Sequence, residues 1–320
     1  MKMKVPKSLI SNLRREKFFL LATHINPDGD ALGSCLALAE ALASLGKKIH
    51  IFDRDPVPES YHFMPGRNKC KSTLGNLLKK DPLLILLDCN SPERAALEDY
   101  SFRKSVVIDH HETESPFGDV RWVDRSAAAT GLMVFHLIEA LNIRITRSMA
   151  TNLYTAIAVD TGTFRYSNTS SDVLRASAQL VEAGAQPGTI AEHLYERWKK
   201  NRFDLLNLCL GTLEIRNNIA VIHITRDMFN KTGTVESDTE NFANVPRMID
   251  SVAISALIRE TDDGRWKVSM RSKGLANVAK IAAAYGGGGH KNAAGFRIKK
   301  DLSSLKMALF SAGKDILPKA

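Results

Sequence analysis

The first half of the chain alternates short apolar runs with stretches of helical period. Residues 18–23 form an apolar run that reads as a strand ending at His24. Leu32, Leu36, Ala39, Leu42 and Leu45 then recur at helical spacing until Gly46. Residues 48–52, 83–87 and 106–108 read as further strands, the last two running into Asp88 and Asp109. Helices are predicted over about 127–141, with Ser126 as the cap, over 148–159 and over 172–183. Strands alternating with helices predict a mostly parallel sheet covered on both faces.

Gly184, Pro187 and Gly188 interrupt this pattern, and a helical stretch over 190–206 follows. It reads as a connector or as the last helix of the first domain. Strands are then predicted over 220–225, 252–258, 266–270 and 294–298, with Asp262, Asp263 and Gly264 as a turn between two of them. A short helix over 277–285 stops at a run of four glycines. The fold class expected is α/β followed by a smaller α+β domain with antiparallel strands. The boundaries expected are 1–187 for the first domain, 188–206 for a helical linker and 207–320 for the second.

A length of 320 residues suits two domains. No apolar run approaches a membrane span, and the lysines of residues 1–9 precede no signal-like apolar segment. A cytoplasmic location is expected. The four cysteines are scattered without a CxxC pair, which argues against a zinc ribbon or a disulfide framework. The net charge of +9 favours an anionic partner such as a nucleotide or nucleic acid.

Candidate chemistry collects at the ends of the predicted strands, where open α/β sheets bind ligands. His24, Asn26, Pro27, Asp28, Gly29 and Asp30 lie between a strand and a helix. Alone, Asp28 or Asp30 reads equally well as a helix cap. Asp88, then Asp109, His110 and His111, then Asp160 repeat the arrangement on other elements. Aspartates crowded together repel each other unless cations separate them. A mixed Asp/His set favours manganese, iron or zinc over magnesium, and paired ions suit phosphoryl hydrolysis. Further on, Gly286, Gly287, Gly288 and Gly289 precede His290. Consecutive glycines let backbone N–H groups converge on an anion; the plain alternative is a flexible loop.

The order His-x-Asn-Pro-Asp-Gly-Asp, a lone Asp, Asp-His-His and Val-Asp-Thr-Gly over residues 24–162 resembles the DHH phosphoesterase superfamily. Gly-Gly-Gly-His-Lys-x-Ala-Ala-Gly, with Arg271 and Ser272 upstream, resembles its DHHA1 accessory domain. The whole is most similar to the nanoRNase and pAp phosphatase group. The resemblance implies a DHH domain and a DHHA1 domain across a cleft, and two divalent ions, Mn²⁺ being the expected metal. His24, Asp28 and Asp88 would hold one ion; Asp30, Asp88, His110 and Asp160 would hold the other. Asp109 would orient a histidine and His111 would face the scissile phosphate. Arg271, Ser272, the four glycines and His290 would bind substrate phosphate and ribose.

The function this implies is hydrolysis of short single-stranded RNA to 5′-mononucleotides, together with 3′-dephosphorylation of pAp. The alternatives are a phosphodiesterase for linear or cyclic dinucleotides and a non-catalytic nucleic-acid-binding module. The resemblance also allows a homodimer through the first domain. The segments 126–131 and 165–169 look typical of the group, the second being expected to shape the substrate side of the metal site. Phe164 and Tyr166 are candidates for base stacking or for core packing.

Overall fold

A computed structural model of the chain describes residues 3–74, 76–111 and 115–316, without the side chains of His290 and of residues 314–316. The chain folds as two compact units, Met1–Arg197 and Trp198–Ala320.

The first unit carries helix α1 (Lys7–Arg15), strand β1 (Phe18–Ala22), α2 (Gly29–Ser44), β2 (Lys48–Phe52), β3 (Cys70–Lys71), β4 (Leu83–Leu87), β5 (Ser105–Asp109) and β6 (Val120–Val123). It continues with α3 (Thr130–Ala140), α4 (Arg147–Asp160), α5 (Ser171–Glu182) and α6 (Pro187–Ala191). The sheet is parallel throughout, in the order β3-β2-β1-β4-β5-β6. Successive side chains of β4 feed opposite layers. Leu83, Ile85 and Leu87 join the core beneath α2, α3 and α4, while Leu84 and Leu86 pack with Leu20, Ala22 and Val107. Burial on both faces is why this strand is continuously apolar rather than alternating.

Strand order reverses between β1 and β4, which makes the ends of these neighbours a topological switch point. Helices α2 and α4 pack almost backbone to backbone behind it. A Cβ on Gly33 would stand 2.3 Å from the Asn152 carbonyl oxygen. This approach delivers both Asp30, in the first turn of α2, and Asp160, the last residue of α4, to the same sheet edge.

The second unit comprises α7 (Lys200–Leu210), β7 (Glu214–Arg216), β8 (Ile219–Ile224), α8 (Arg226–Thr232), β9 (Ile254–Glu260), β10 (Trp266–Ser272), α9 (Val278–Ala284), β11 (Gly288–His290), β12 (Ala293–Ile298) and α10 (Leu302–Ile316). Its sheet runs β11-β12-β10-β9-β8-β7, antiparallel except for β8 beside β9. Asp262–Gly264 turns β9 into β10, with Gly264 at a φ of 70°. One face of the sheet packs Ile258, Val268, Met270 and Phe296 against Ile281 of α9 and Leu305 and Leu309 of α10.

Two sequence expectations change, and one of the two readings of the glycine run falls away. Helix α3 starts at Thr130, because Asp124 accepts hydrogen bonds from the Ser126 amide and hydroxyl and holds 124–126 in a turn. The helical stretch expected over 190–206 is broken before Lys200: Lys199 is extended, and the Trp198 ring packs beside Phe203 and Phe242. The glycine run is not an open loop. Gly286 and Gly287 donate to the Ala283 and Ala282 carbonyls at the end of α9, and Gly288 and Gly289 belong to the edge strand β11.

Candidate metal centre

The left-handed backbone of Asp88 (φ 55°) sets the geometry at the end of β4. A non-glycine residue in this region is uncommon and needs its surroundings to hold it there. Asp88 Oδ2 lies 3.5 Å from His24 Nε2, and Oδ1 lies 3.4 Å from His110 Nε2. The Thr130 hydroxyl donates to Oδ1 at 3.0 Å. Asp88 therefore stands between the two histidines, and both of its oxygens are engaged.

Both histidines are fixed through their other nitrogen. His24 Nδ1 lies 3.0 Å from the Ile25 carbonyl oxygen, and His110 Nδ1 lies 3.1 Å from that of Ala127. In the neutral ring Nδ1 then carries the proton and donates, so Nε2 presents a lone pair to the cluster. This is the tautomer that a metal ligand needs.

Asp30 is fully buried. Its Oδ2 accepts from the Thr130 amide at 2.7 Å, and its Oδ1 accepts from the Gly131 amide at 2.8 Å and from the Ser34 hydroxyl at 3.2 Å. Asp160 Oδ2 is 3.1 Å from His110 Nε2. Asn168 bonds the Asp160 and Ala128 carbonyls, tying the 165–169 segment to the end of α4. Asp28 does cap α2, since its Oδ1 accepts from the Asp30 and Ala31 amides. Its Oδ2 accepts no hydrogen bond among the described residues. Capping and ligation are thus compatible in one side chain.

Three groups result whose donor atoms all lie within 4.8 Å of one another: His24, Asp28 and Asp88; Asp30, His110 and Asp160; and Asp88, His110 and His111. Their electrostatics fit bound cations. Burial raises the Asp30 carboxyl well above its usual range, and the nearby Asp88 and Asp160 charges raise it further. Burial, offset in part by His110, raises Asp160 as well. Burial disfavours the His24 imidazolium, but the Asp88 hydrogen bond and the Asp28 and Asp88 charges outweigh it and push the group up to about 9. His110 is likewise pushed well up by Asp160 and Asp88 against its burial. Without metal the cluster must take up protons to balance its carboxylates. Divalent cations would replace those protons and use the same lone pairs.

His111, whose Nδ1 lies 3.5 Å from Asp88 Oδ1, is also paired with Asp109. His111 Nδ1 is 2.7 Å from Asp109 Oδ1, which also accepts from the His110 and His111 amides. Burial opposes ionisation of Asp109, yet the His111 hydrogen bond and charge hold it below the usual carboxylate range. His111 Nε2 lies 3.4 Å from an Arg94 guanidinium nitrogen.

Residues 19–157 match the DHH family, N-terminal domain, and residues 218–314 match the DHHA1 domain. The bifunctional oligoribonuclease and PAP phosphatase NrnA of Thermus thermophilus is 33% identical over 306 residues, covering 94% of this chain and 90% of that one. The chain belongs to the DHH phosphoesterase family. It is a phosphoester hydrolase by that membership. The protein of the same name from Bacillus subtilis is 29% identical over 298 residues, covering 91% of this chain and 92% of that one. An exopolyphosphatase-related protein from Bacteroides fragilis has the same fold, with a TM-score of 0.89 at 24% identity and 98% of both chains covered. No described helix is long and apolar enough to cross a membrane.

In this DHH-family chain the sequence motifs mark the aspartates and histidines that meet, but not the groups that hold them. Thr130, Gly131 and Ser34 support the carboxylates, and Arg94 stands at His111. Ser34 follows Asp30 at i+4 on a helix, a signal that spacing could have supplied. Arg94 carries no periodic signal; a short turn over Glu93–Ala95 places it, and its carbonyl accepts from the Ile25 amide at 2.7 Å. The Phe164 ring packs edge-on to Tyr154, which suits core packing. A Cβ on Gly162 would stand 2.3 Å from the Tyr166 ring, so that ring lies directly on the glycine.

In the second unit, Arg271 lies on the outward face of β10. Ser272 points inward, 1% exposed, and donates to the Ala276 carbonyl at 2.8 Å. That hydroxyl also lies 3.2 Å from Asn292 Oδ1 at the end of β10. The His290 side chain lies outside the described residues.

Proposed function

We propose that this chain hydrolyses short single-stranded RNA to 5′-mononucleotides and removes the 3′-phosphate of pAp, as the names of its relatives from Thermus thermophilus and Bacillus subtilis suggest. The observation that carries this reading is Asp88, shared by two of the three Asp/His groups at the switch point of the sheet.

His24, Asp28 and Asp88 would hold one divalent ion, and Asp30, Asp88, His110 and Asp160 a second. Mn²⁺ suits this oxygen and nitrogen set. Such ions supply charge neutralisation at the phosphate and a water nucleophile at neutral pH. The chain's own contribution is orientation. Ile25 and Ala127 fix the imidazole tautomers, and Thr130 and Gly131 fix the carboxylates. Asp109 holds His111 by Nδ1, which leaves Nε2, beside Arg94, to meet a phosphate oxygen or the leaving hydroxyl. Arg271 would grip a terminal phosphate through charge-assisted hydrogen bonds. Ser272 positions that grip, and the glycines of 286–289 allow close backbone approach. The same reading includes a cytoplasmic location, domain limits of 1–187 and 207–320 about a linker at 188–206, and a homodimer.

The test is turnover of 5′-phosphorylated di- to pentaribonucleotides and of pAp by the metal-loaded protein, beside pApA and c-di-AMP. Mononucleotide release from short RNA with AMP release from pAp is the expected outcome. Cleavage confined to the dinucleotides would replace this reading with the dinucleotide phosphodiesterase. RNA binding without turnover of any substrate would make the chain a binding module.

A further inference from the structure

The outward face of the second sheet carries cations that the metal centre and the Arg271 grip leave unused. Along β10, Val268, Met270 and Ser272 are buried while Lys267, Ser269 and Arg271 alternate outward. Lys267 pairs directly with Arg259 on β9 and with Arg297 on β12. Three cations thus stand in one row across three adjacent strands, about 4.8 Å apart. Like charges directly opposite each other destabilise a sheet.

Only one end of the row is balanced. Arg259 bonds Glu236 at 2.5 Å and the Thr239 hydroxyl at 2.7 Å. Lys267 and Arg297 have no hydrogen bond or ion pair among the described residues. Burial, together with the Arg259 and Arg297 charges, lowers Lys267 to about 8. An anion resting on Lys267 and Arg297 would relieve both the repulsion and the missing partners.

The floor between this row and Arg271 is low. Toward the β12 edge Ser269 pairs with Gly295, and Gly295 with Gly288, so this side of the intervening row holds no large side chain, whereas Leu257 stands on the β9 side. The four steps from Lys267 to Arg271 span about 13 Å along the strand. Stacked nucleotides rise about 3.4 Å each and extended ones roughly twice that, so a strand gripped by its terminal phosphate at Arg271 reaches the row only with its third or a later phosphate.

We propose that Lys267 and Arg297 form a second phosphate subsite, distinct from the Arg271 grip, that binds an inner phosphate of an oligonucleotide and favours chains longer than a dinucleotide. This rests on the reading that the substrate is a short oligonucleotide held at its end by Arg271. Removing the two charges leaves the metal centre intact and eases the repulsion within the sheet.

The experiment compares the full chain with its Lys267→Gln/Arg297→Gln variant, and with Lys231→Gln/Lys280→Gln as a control of equal charge. Binding of 5′-phosphorylated RNA of two and six nucleotides is read by fluorescence anisotropy in EDTA, where no turnover occurs. The expected result is a loss of about tenfold or more in hexamer affinity for Lys267→Gln/Arg297→Gln alone. Dimer affinity should change less than twofold, and the salt dependence of hexamer binding should flatten by about 0.7 in log–log slope. Equal losses for dimer and hexamer, no loss for either, or the same loss in the control overturns the proposal. Because binding is read without turnover, a wild-type protein that binds the hexamer through this row yet cleaves no RNA would sink the proposed function and leave the subsite standing.

Discussion

His111 Nδ1 lies 2.7 Å from Asp109 Oδ1, while its Nε2 lies 3.4 Å from an Arg94 guanidinium nitrogen. The imidazole is therefore held between an anion and a cation, whereas His24 and His110 have their Nδ1 atoms fixed by backbone carbonyls. A carboxylate orients the ring of His111, whereas backbone carbonyls orient the rings of His24 and His110. Adjacent histidines in one motif are thus prepared for different work.

Asp109→Asn should expose this difference. The amide can offer His111 a donor where the ring needs an acceptor, which disfavours the working tautomer and orientation. The expected outcome is a fall of about 10–100-fold in kcat with metal content unchanged. Steady-state kinetics beside elemental analysis reads both. Loss of metal in step with kcat would place Asp109 among the ligands instead.

Asp88→Asn should do more damage, because Asp88 stands beside both His24 and His110. Metal occupancy and turnover should fall together. Thr130→Val tests the same carboxylate from behind. It removes the hydroxyl donated at 3.0 Å while keeping the side-chain volume, and a drop of about tenfold in metal affinity by titration is expected. Full two-ion occupancy with asparagine at position 88 contradicts the assignment.

The arrangement behind these two predictions was only partly legible in the sequence. The aspartates and histidines that meet at the sheet edge follow runs of readable period, so spacing and motif order were enough to mark them. The bonds from Thr130 and Gly131 to Asp30 connect residues a hundred positions apart, and no local periodicity reports such a pairing. The start of α3 is hidden in the sequence for a related reason: 127–129 are apolar enough to look helical, but the Asp124 turn delays the helix and frees the Thr130 amide for Asp30. That the glycine run pairs as a strand was not legible, because its partner, β12, lies beyond it in sequence and carries its own glycine at 295.

The metal-free protein should lose stability as pH rises. His24 goes from an ordinary 6.5 to about 9 on folding. A raised histidine contributes its full stabilisation below 6.5 and loses it as pH climbs through 9, at most about 3 kcal/mol here. The Tm of EDTA-stripped wild type should therefore fall relative to EDTA-stripped His24→Gln between pH 6.5 and 9. A constant difference between the two across that window would show that His24 does not titrate as described.

Arg271→Ala separates grip from chemistry. It should retain metal and cut kcat/KM on di- to pentanucleotides by at least tenfold, through loss of contacts worth about 1.5–3 kcal/mol. A small artificial phosphodiester that makes no contact with Arg271 should be hydrolysed much as before. His111→Ala should impair both substrates. Equal proportional losses on the two substrates for Arg271→Ala would refute this division of labour.

The central claim, that the Asp/His cluster around Asp88 works by holding divalent ions, is tested most directly by metal content against turnover. The protein is stripped with chelator, assayed on a 5′-phosphorylated trinucleotide, and titrated back with Mn²⁺ while bound metal is measured by elemental analysis. Activity should vanish on stripping and return as occupancy approaches two ions per chain. Undiminished turnover in protein shown to be free of metal would contradict the account.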